Sequence, residues 1–201
     1  MLSIQNFPIT LNLLILNVVI SAVAFLAQPQ LLDRWGVRPY MIIRHHQWYR
    51  MLSGGFLHGS WMHLAFNMLS LWSFGPYMEY QLGAVPYLVL YFGSMLAAHA
   101  LTTYKYQQQP SYNAVGASGA ISGVILGFCL YEPFQRLLVF FVPMPAIVFA
   151  VLYIGYSVYA SRSGQGEAWG NIAHEAHLGG ALAGIVITIL FDPRAILHFF
   201  S

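Results

Sequence analysis

Residues Val115–Gly127 read V-G-A-S-G-A-I-S-G-V-I-L-G, a hydrophobic run in which Gly116, Gly119, Gly123 and Gly127 surround Ser118. Glycine is a poor interior residue for a soluble helix. In a membrane helix it lets a neighbouring backbone come close enough for short side chains on two helices to meet. Ser118 is therefore presented to a partner helix and not to lipid. A matching stretch lies downstream, where Ala176–Gly184, A-H-L-G-G-A-L-A-G, puts His177 on a second small-residue helix that includes Gly180. A serine and a histidine brought together inside a membrane are the minimum kit for acyl transfer to serine.

Composition supports the membrane setting. Of 201 residues, 58% are hydrophobic and 7% charged, against about 25% charged in ordinary soluble domains; the mean hydropathy is +0.62. No charge occurs in 1–32, 51–78, 80–104, 106–131, 137–161 or 176–191. Most of these intervals exceed the roughly 20 residues that a spanning helix needs. The spacing predicts six helices, about 9–27, 60–78, 84–104, 114–131, 137–160 and 172–191, in an all-α membrane protein forming one domain over 1–201. A net charge of +2 without a basic run excludes a nucleic-acid partner. Cys129 is the only cysteine, so no internal disulfide forms. The first apolar run lacks a basic leader and a cleavage site, and reads as a retained helix.

Between the first two helices lies a loop of about thirty residues, long for a bundle. It is rich in Trp35, Tyr40, Trp48, Tyr49 and Phe56, which suit an element sunk in the interface. Arg50 could bind loop carbonyls through its planar fork or simply snorkel. In Leu57–Met68, L-H-G-S-W-M-H-L-A-F-N-M, His63 and Asn67 are four apart and share a helix face; their plainer reading is a helix–helix hydrogen bond. His58 suits a bond to the preceding loop. Glu79, between Pro76 and Gly83, reads as a structural carboxylate in a turn, tying it to a helix end. His99 is alone among apolar neighbours and reads as a satisfied core or interfacial histidine. Pro143 and Pro145 loosen the first turns of the fifth run, whose helix could begin after Pro145. The polar loop 161–167 tethers that helix loosely and suits a gate.

Metal chemistry fits poorly. His174-Glu175-Ala176-His177 is one residue short of the zincin H-E-x-x-H, and the apolar runs offer no inward carboxylates for a di-metal site. The soluble hydrolase elbow G-x-S-x-G is also absent, because Ala120 stands where its second glycine belongs. The needs of acyl transfer are nonetheless met by Ser118 as nucleophile, His177 as base, and His63, Asn67 and the Ser118 N–H as oxyanion donors. Asp33 and Asp192 lie outside the apolar runs, so the arrangement is a dyad.

W-Y-R at 48–50, H-G-S-W-M-H-L-A-F-N at 58–67, E-Y-Q-L-G at 79–83, G-A-S-G-A at 116–120 and A-H-L-G-G-A-L-A-G at 176–184 occur in that order. Together they resemble the rhomboid family of intramembrane serine proteases, over about residues 44–191. The resemblance implies a six-helix bundle with a membrane-embedded first loop. It implies Ser118 as nucleophile, His177 as base, and His63 and Asn67 at the oxyanion site. Arg50, His58 and Glu79 would hold the first loop and the start of the third helix, with Gly116, Gly119 and Gly180 structural near the site. Four residues past the nucleophile, where some members place an aromatic ring against the base, this chain has Ser122, leaving His177 to its other neighbours; His174 has no assigned role. No cofactor or metal is implied.

The partners expected are the lipid bilayer and single-span membrane proteins cut in or beside their membrane segments, at small residues. The alternatives are a catalytically silent rhomboid-like protein that binds membrane segments, and a small transporter with the polar residues lining its path. The arginine count places the termini outside by the positive-inside rule, whereas the resemblance implies a cytoplasmic N-terminus, which is the orientation adopted. A multi-pass protein of a bacterial plasma membrane is expected.

Overall fold

The computed structural model describes residues 7–139, 141–163 and 173–200, excluding the side chains of 162 and 163. Beyond residue 163, the polar loop expected over 161–167 lies outside the described residues. The first long helix, α1 (Pro8–Leu26), is followed by three short ones, α2 (Leu31–Trp35), α3 (Pro39–His45) and α4 (Arg50–Ser53), and a 3-10 turn at Gly54–Phe56. Next come α5 (Trp61–Leu82), α6 (Ala84–Tyr106) and α7 (Ser118–Tyr131). A hairpin of β1 (Arg136–Val139) and β2 (Val142–Pro145) leads into α8 (Ala146–Ser163) and α9 (His174–Phe191).

The protein is predominantly helical, as expected of an all-α membrane protein. By length and composition α1, α6 and α9 are fit to cross a membrane, while α7 and residues 146–161 are shorter apolar helices. The 22 residues of α5 are diluted by His63, Asn67, Ser70, Ser73, Glu79 and Gln81.

Three helix boundaries depart from the sequence reading. The second helix runs through Pro76 to Leu82 instead of stopping at 78, and ends where Gly83 takes φ +78°. Glu79 is therefore in a last helical turn and not in a connecting one. Its two oxygens accept from Ile9 N (2.9 Å) and Thr10 N (2.8 Å), tying it to the start of α1 instead of the start of the third helix. The first N–H groups of a helix have no partners within it, and a carboxylate is well suited to take them. The fourth helix begins at Ser118, four residues later than expected, because the preceding residues pair with the first loop. The fifth begins at Ala146; residues 136–139 pair antiparallel with 142–145, Leu138 opposite Pro143 and Arg136 opposite Pro145. Proline lacks the N–H that a helix interior needs, so the start after Pro145 is the one adopted.

At the centre, α7 is enclosed by α6 and α9 with small residues at the contacts. Gly119 faces Ala98 and the Ala176 carbonyl, Gly123 faces Ser94, and Gly127 faces Thr188 and Met78. Helices in lipid gain little from apolar burial against each other, so close backbone approach supplies the packing. Tyr87, Leu90, Tyr91, Met95 and Val124 fill the core beside this contact. The buried polar residues of α1 turn inward: Thr10 bonds the Tyr87 hydroxyl, Asn17 the Tyr91 hydroxyl, and Ser21 the Phe56 carbonyl.

Candidate active site

The serine is positioned by the loop that precedes it. Val37 and Ala114 exchange backbone hydrogen bonds of 2.8 and 3.0 Å, Asn113 Nδ2 donates to Leu32 O, and Gly116 N donates to Gly54 O. These bonds hold residues 113–116 extended, with Gly116 at φ +136°, a value that other residues adopt only with strain. The chain then turns into α7 with Ser118 as its first residue. The first helical bond is Ile121 N to Ala117 O. The N–H groups of Ser118, Gly119 and Ala120 thus lack intrahelical acceptors and sit at the positive end of the helix dipole.

His177 stands in the first turns of α9. Ser118 Oγ lies 2.9 Å from His177 Nε2, and both residues are half-buried. The separation is fixed by the contact of α7 with α9, where a side chain on Gly180 would overlap the Gly119 carbonyl. Glu175, two residues before His177, is committed elsewhere, with its carboxylate 3.4 Å from Lys105 Nζ and 3.1 Å from the Tyr112 hydroxyl. Burial first, and then the Glu175 carboxylate, raise the Tyr112 phenol well above its usual pKa, which keeps it a donor. His174 is buried edge-on to His177 at 6.1 Å and packs against Tyr156.

His63 reaches the same place from the second helix. A methyl group on Gly116 would fall 2.8 Å from His63 Cε1 and 3.7 Å from Ser118 Oγ, so the imidazole borders the serine across a glycine. Ser60 caps α5 by accepting from His63 N. Asn67 is buried one turn on, its Nδ2 donating to the His63 carbonyl at 3.0 Å. His58 is fully buried with its ring edge-on to His63 at 5.0 Å. Because the Ser21 hydroxyl spends its proton on the Phe56 carbonyl, His58 Nδ1 donates to Ser21 Oγ (2.9 Å). Burial, with a lesser effect of His63, pushes its pKa down to about 3.

Of the remaining residues singled out, Arg50 takes the carbonyl-binding option, donating from Nη1 to Asp33 O (2.7 Å) and Gly36 O (2.9 Å) and from Nε to Gln47 Oε1 (2.6 Å). Gly36 precedes Val37, so Arg50 stabilises the strand against which Ala114 pairs. Glu79 is remote from this network, at the end of α5 with its carboxylate on the first N–H groups of α1. His99 is satisfied, donating from Nδ1 to the Met51 carbonyl at 2.6 Å. The sequence reading missed Tyr153, whose ring stacks on His177 with centroids 6.1 Å apart and planes 20° apart. The signal available was Ser122 itself, a small hydroxyl where an aromatic could have stood. It also missed the Lys105–Glu175–Tyr112 cluster, which joins parts of the chain 63 and 70 residues apart.

Comparison with known proteins agrees with the family resemblance. A Rhomboid domain matches residues 45–194. The chain is 32% identical over 140 residues to Rhomboid protein 1, mitochondrial, of Saccharomyces cerevisiae, covering 68% of this chain and 40% of that protein. It is 30% identical over 150 residues to Rhomboid protease GluP of Bacillus subtilis, covering 75% of this chain and 27% of that protein. It is 32% identical over 136 residues to the human Presenilin-associated rhomboid-like protein, mitochondrial, covering 67% of this chain and 36% of that protein. The chain thus spans less than half the length of these relatives. Their division between mitochondrial and bacterial proteins lends no support to the bacterial plasma membrane expected from the sequence. An integral membrane setting is common to all the observations, and with three quarters of its length aligned to a single domain type, this chain belongs to the rhomboid family.

Proposed function

We propose that the protein is an intramembrane serine endopeptidase that cuts transmembrane or juxtamembrane segments of other membrane proteins. The observation that carries this reading is the 2.9 Å approach of Ser118 Oγ to His177 Nε2 at the start of α7. With Nε2 unprotonated, the hydroxyl donates to it. As Oγ attacks the scissile carbonyl, the proton passes to His177 and the carbonyl oxygen becomes an oxyanion facing the free N–H groups of the α7 first turn, with His63 and Asn67 beside it. Collapse breaks the peptide C–N bond, and the leaving amine takes the proton from His177. Water then gives a proton to His177 and its oxygen to the acyl carbon, and the proton returns to Ser118 Oγ as the acid departs.

The length of α7 suits the intramembrane reading. The 14 residues of α7 rise about 21 Å, against a hydrocarbon layer of about 30 Å. If α7 runs across a six-span bundle, its first residue sits below the membrane surface, roofed by the 27–60 loop. Trp35, Trp48, Tyr49 and Leu52 point outward from that loop, as an element lying in the interface requires. Arg38 and Arg44 bond Pro110 O and Gln108 Oε1, and Arg50 bonds loop carbonyls. Charges employed to hold a loop are poor signals of orientation, so the arginine count does not oppose the cytoplasmic N-terminus that the resemblance implies. A substrate helix must unwind locally to expose its carbonyl, so small and helix-breaking residues suit the cut site.

The test is cleavage of a single-span substrate by purified protein in detergent, with labelling of the serine by a fluorophosphonate. Wild type is expected to cut and to label at Ser118, while Ser118→Ala and His177→Ala lose at least about 10³-fold. Equal cutting by all three would overturn the assignment. A folded wild type that neither cuts nor labels would favour the binding-only relative.

A further inference from the structure

Tyr153 belongs to α8, yet its ring lies nearly parallel to the imidazole of His177, with Phe149 from the preceding turn stacked behind it at 5.4 Å. Its hydroxyl meets Ser122 Oγ. Ser122 Oγ donates to the Ser118 carbonyl at 2.6 Å, which uses its one proton, so Tyr153 is the donor to Ser122. The four residues close a circuit: Ser118 Oγ to His177, the His177 ring to Tyr153, the Tyr153 hydroxyl to Ser122, and Ser122 to the Ser118 backbone. Glu175 bonds Lys105 and Tyr112, so it is not what orients the imidazole.

Building on the protease reading, we propose that Tyr153 is the positioning residue for His177, supplied by α8 because α7 carries Ser122 where a ring could otherwise stand. The separation of nucleophile and base is set by α7 and α9, which are locked backbone to backbone. The rotation of the imidazole is set by a third helix. Alignment of the dyad is therefore conditional on the docking of α8. That helix is tied at its far end by Lys105 Nζ, which donates to the Ser161 carbonyl at 2.7 Å. An outward movement of α8 leaves Ser118 and His177 on their helices but frees the ring to turn. Ser122 acts one step back, by fixing the height of Tyr153 along His177.

The experiment compares wild type, Tyr153→Leu, Tyr153→Phe and Ser122→Ala, reading the rate of fluorophosphonate labelling at Ser118 and the kcat and KM for a single-span substrate. Leucine keeps an apolar side chain of similar reach without an aromatic face; phenylalanine keeps the face without the hydroxyl. Tyr153→Leu is expected to lose about 3- to 10-fold in labelling rate and kcat with KM changed less than about twofold, and Tyr153→Phe to stay within about threefold of wild type. Ser122→Ala is expected to fall between them, and to add nothing in the Tyr153→Leu background. Equal rates for the leucine and phenylalanine variants, whether both normal or both impaired, would overturn the proposal. So would additive losses from Ser122→Ala and Tyr153→Leu. A wild type that fails to label at Ser118 overturns the protease reading instead, and is told apart because no variant comparison then exists.

Discussion

Gly180 on α9 lies against Gly119 on α7 so closely that a methyl group at residue 180 would overlap the Gly119 carbonyl. Alanine at an ordinary helical position stabilises by up to about 1 kcal/mol relative to glycine. Here the obstacle is backbone, which cannot rotate away. Gly180→Ala is expected to destabilise by about 1–3 kcal/mol and to abolish most cleavage, as the helices part and the dyad lengthens. Gly155→Ala on α8, where nothing lies within 4 Å, is expected to be neutral or to stabilise. Thermal unfolding in detergent, run on both, checks the contrast.

Arg50 holds two carbonyls and a glutamine at once. A lysine cannot reproduce that fork from one ammonium. Arg50→Lys is expected to lower stability by about 1–3 kcal/mol, and Arg50→Ala by at least as much, since the Asp33 and Gly36 carbonyls lose a charged donor. Cleavage should fall with it, because Gly36 leads into the Val37–Ala114 pairing that positions Ser118. Unfolding temperature and cleavage rate measured together separate this from a purely local effect: a variant destabilised but fully active in the folded state would show that the loop does not set the serine.

Acid should act on the fold through His58. Its folded pKa of about 3 lies below the usual 6.5, so as pH falls the unfolded chain takes a proton that the native state refuses. The contribution is intact above pH 6.5 and declines between there and about 3, at about 1.4 kcal/mol per pH unit. Comparing unfolding at pH 7 and pH 5, wild type is expected to lose more stability than His58→Gln, which keeps a donor for Ser21. Parallel losses would show that other groups carry the acid sensitivity.

Lys105 and Glu175 form a pair in which the carboxylate is almost wholly buried and the ammonium about one-third exposed. Removing the cation leaves Glu175 with the Tyr112 hydroxyl. Lys105→Met is expected to destabilise by about 1–3 kcal/mol, less than for a fully buried pair. Glu175→Gln in that background should recover part of the loss, a coupling that a double-mutant cycle measures.

The partnership of Ser118 with His177 was legible because both sit among small residues, and helices that meet in lipid announce it with glycine and alanine. The choice between roles for Arg50 was open until the loop folded around it. The start of α7 was hidden, since the bonds that keep 113–116 extended come from Val37, Leu32 and Gly54, far back in the chain. Only Gly116 hinted at it. The 136–145 hairpin was masked by its apolar composition, which satisfies a helix as readily as a strand, and Pro76 suggested an end that α5 passes through. Tyr153 was signalled only indirectly, by Ser122, because the face it presents depends on how α8 docks.

Ser118 and His177 are 59 residues apart, and the hairpin and α8 are made between them. At about 5–20 residues per second, a ribosome delivers the histidine about 3–12 s after the serine. In the protease proposed here, the nucleophile thus spends the interval between the synthesis of these two residues without a base, beside the translocation machinery and other nascent chains. The arrival of α9, seated against α7 through Gly180, is the event that arms it, so the order of synthesis serves as a safety interval.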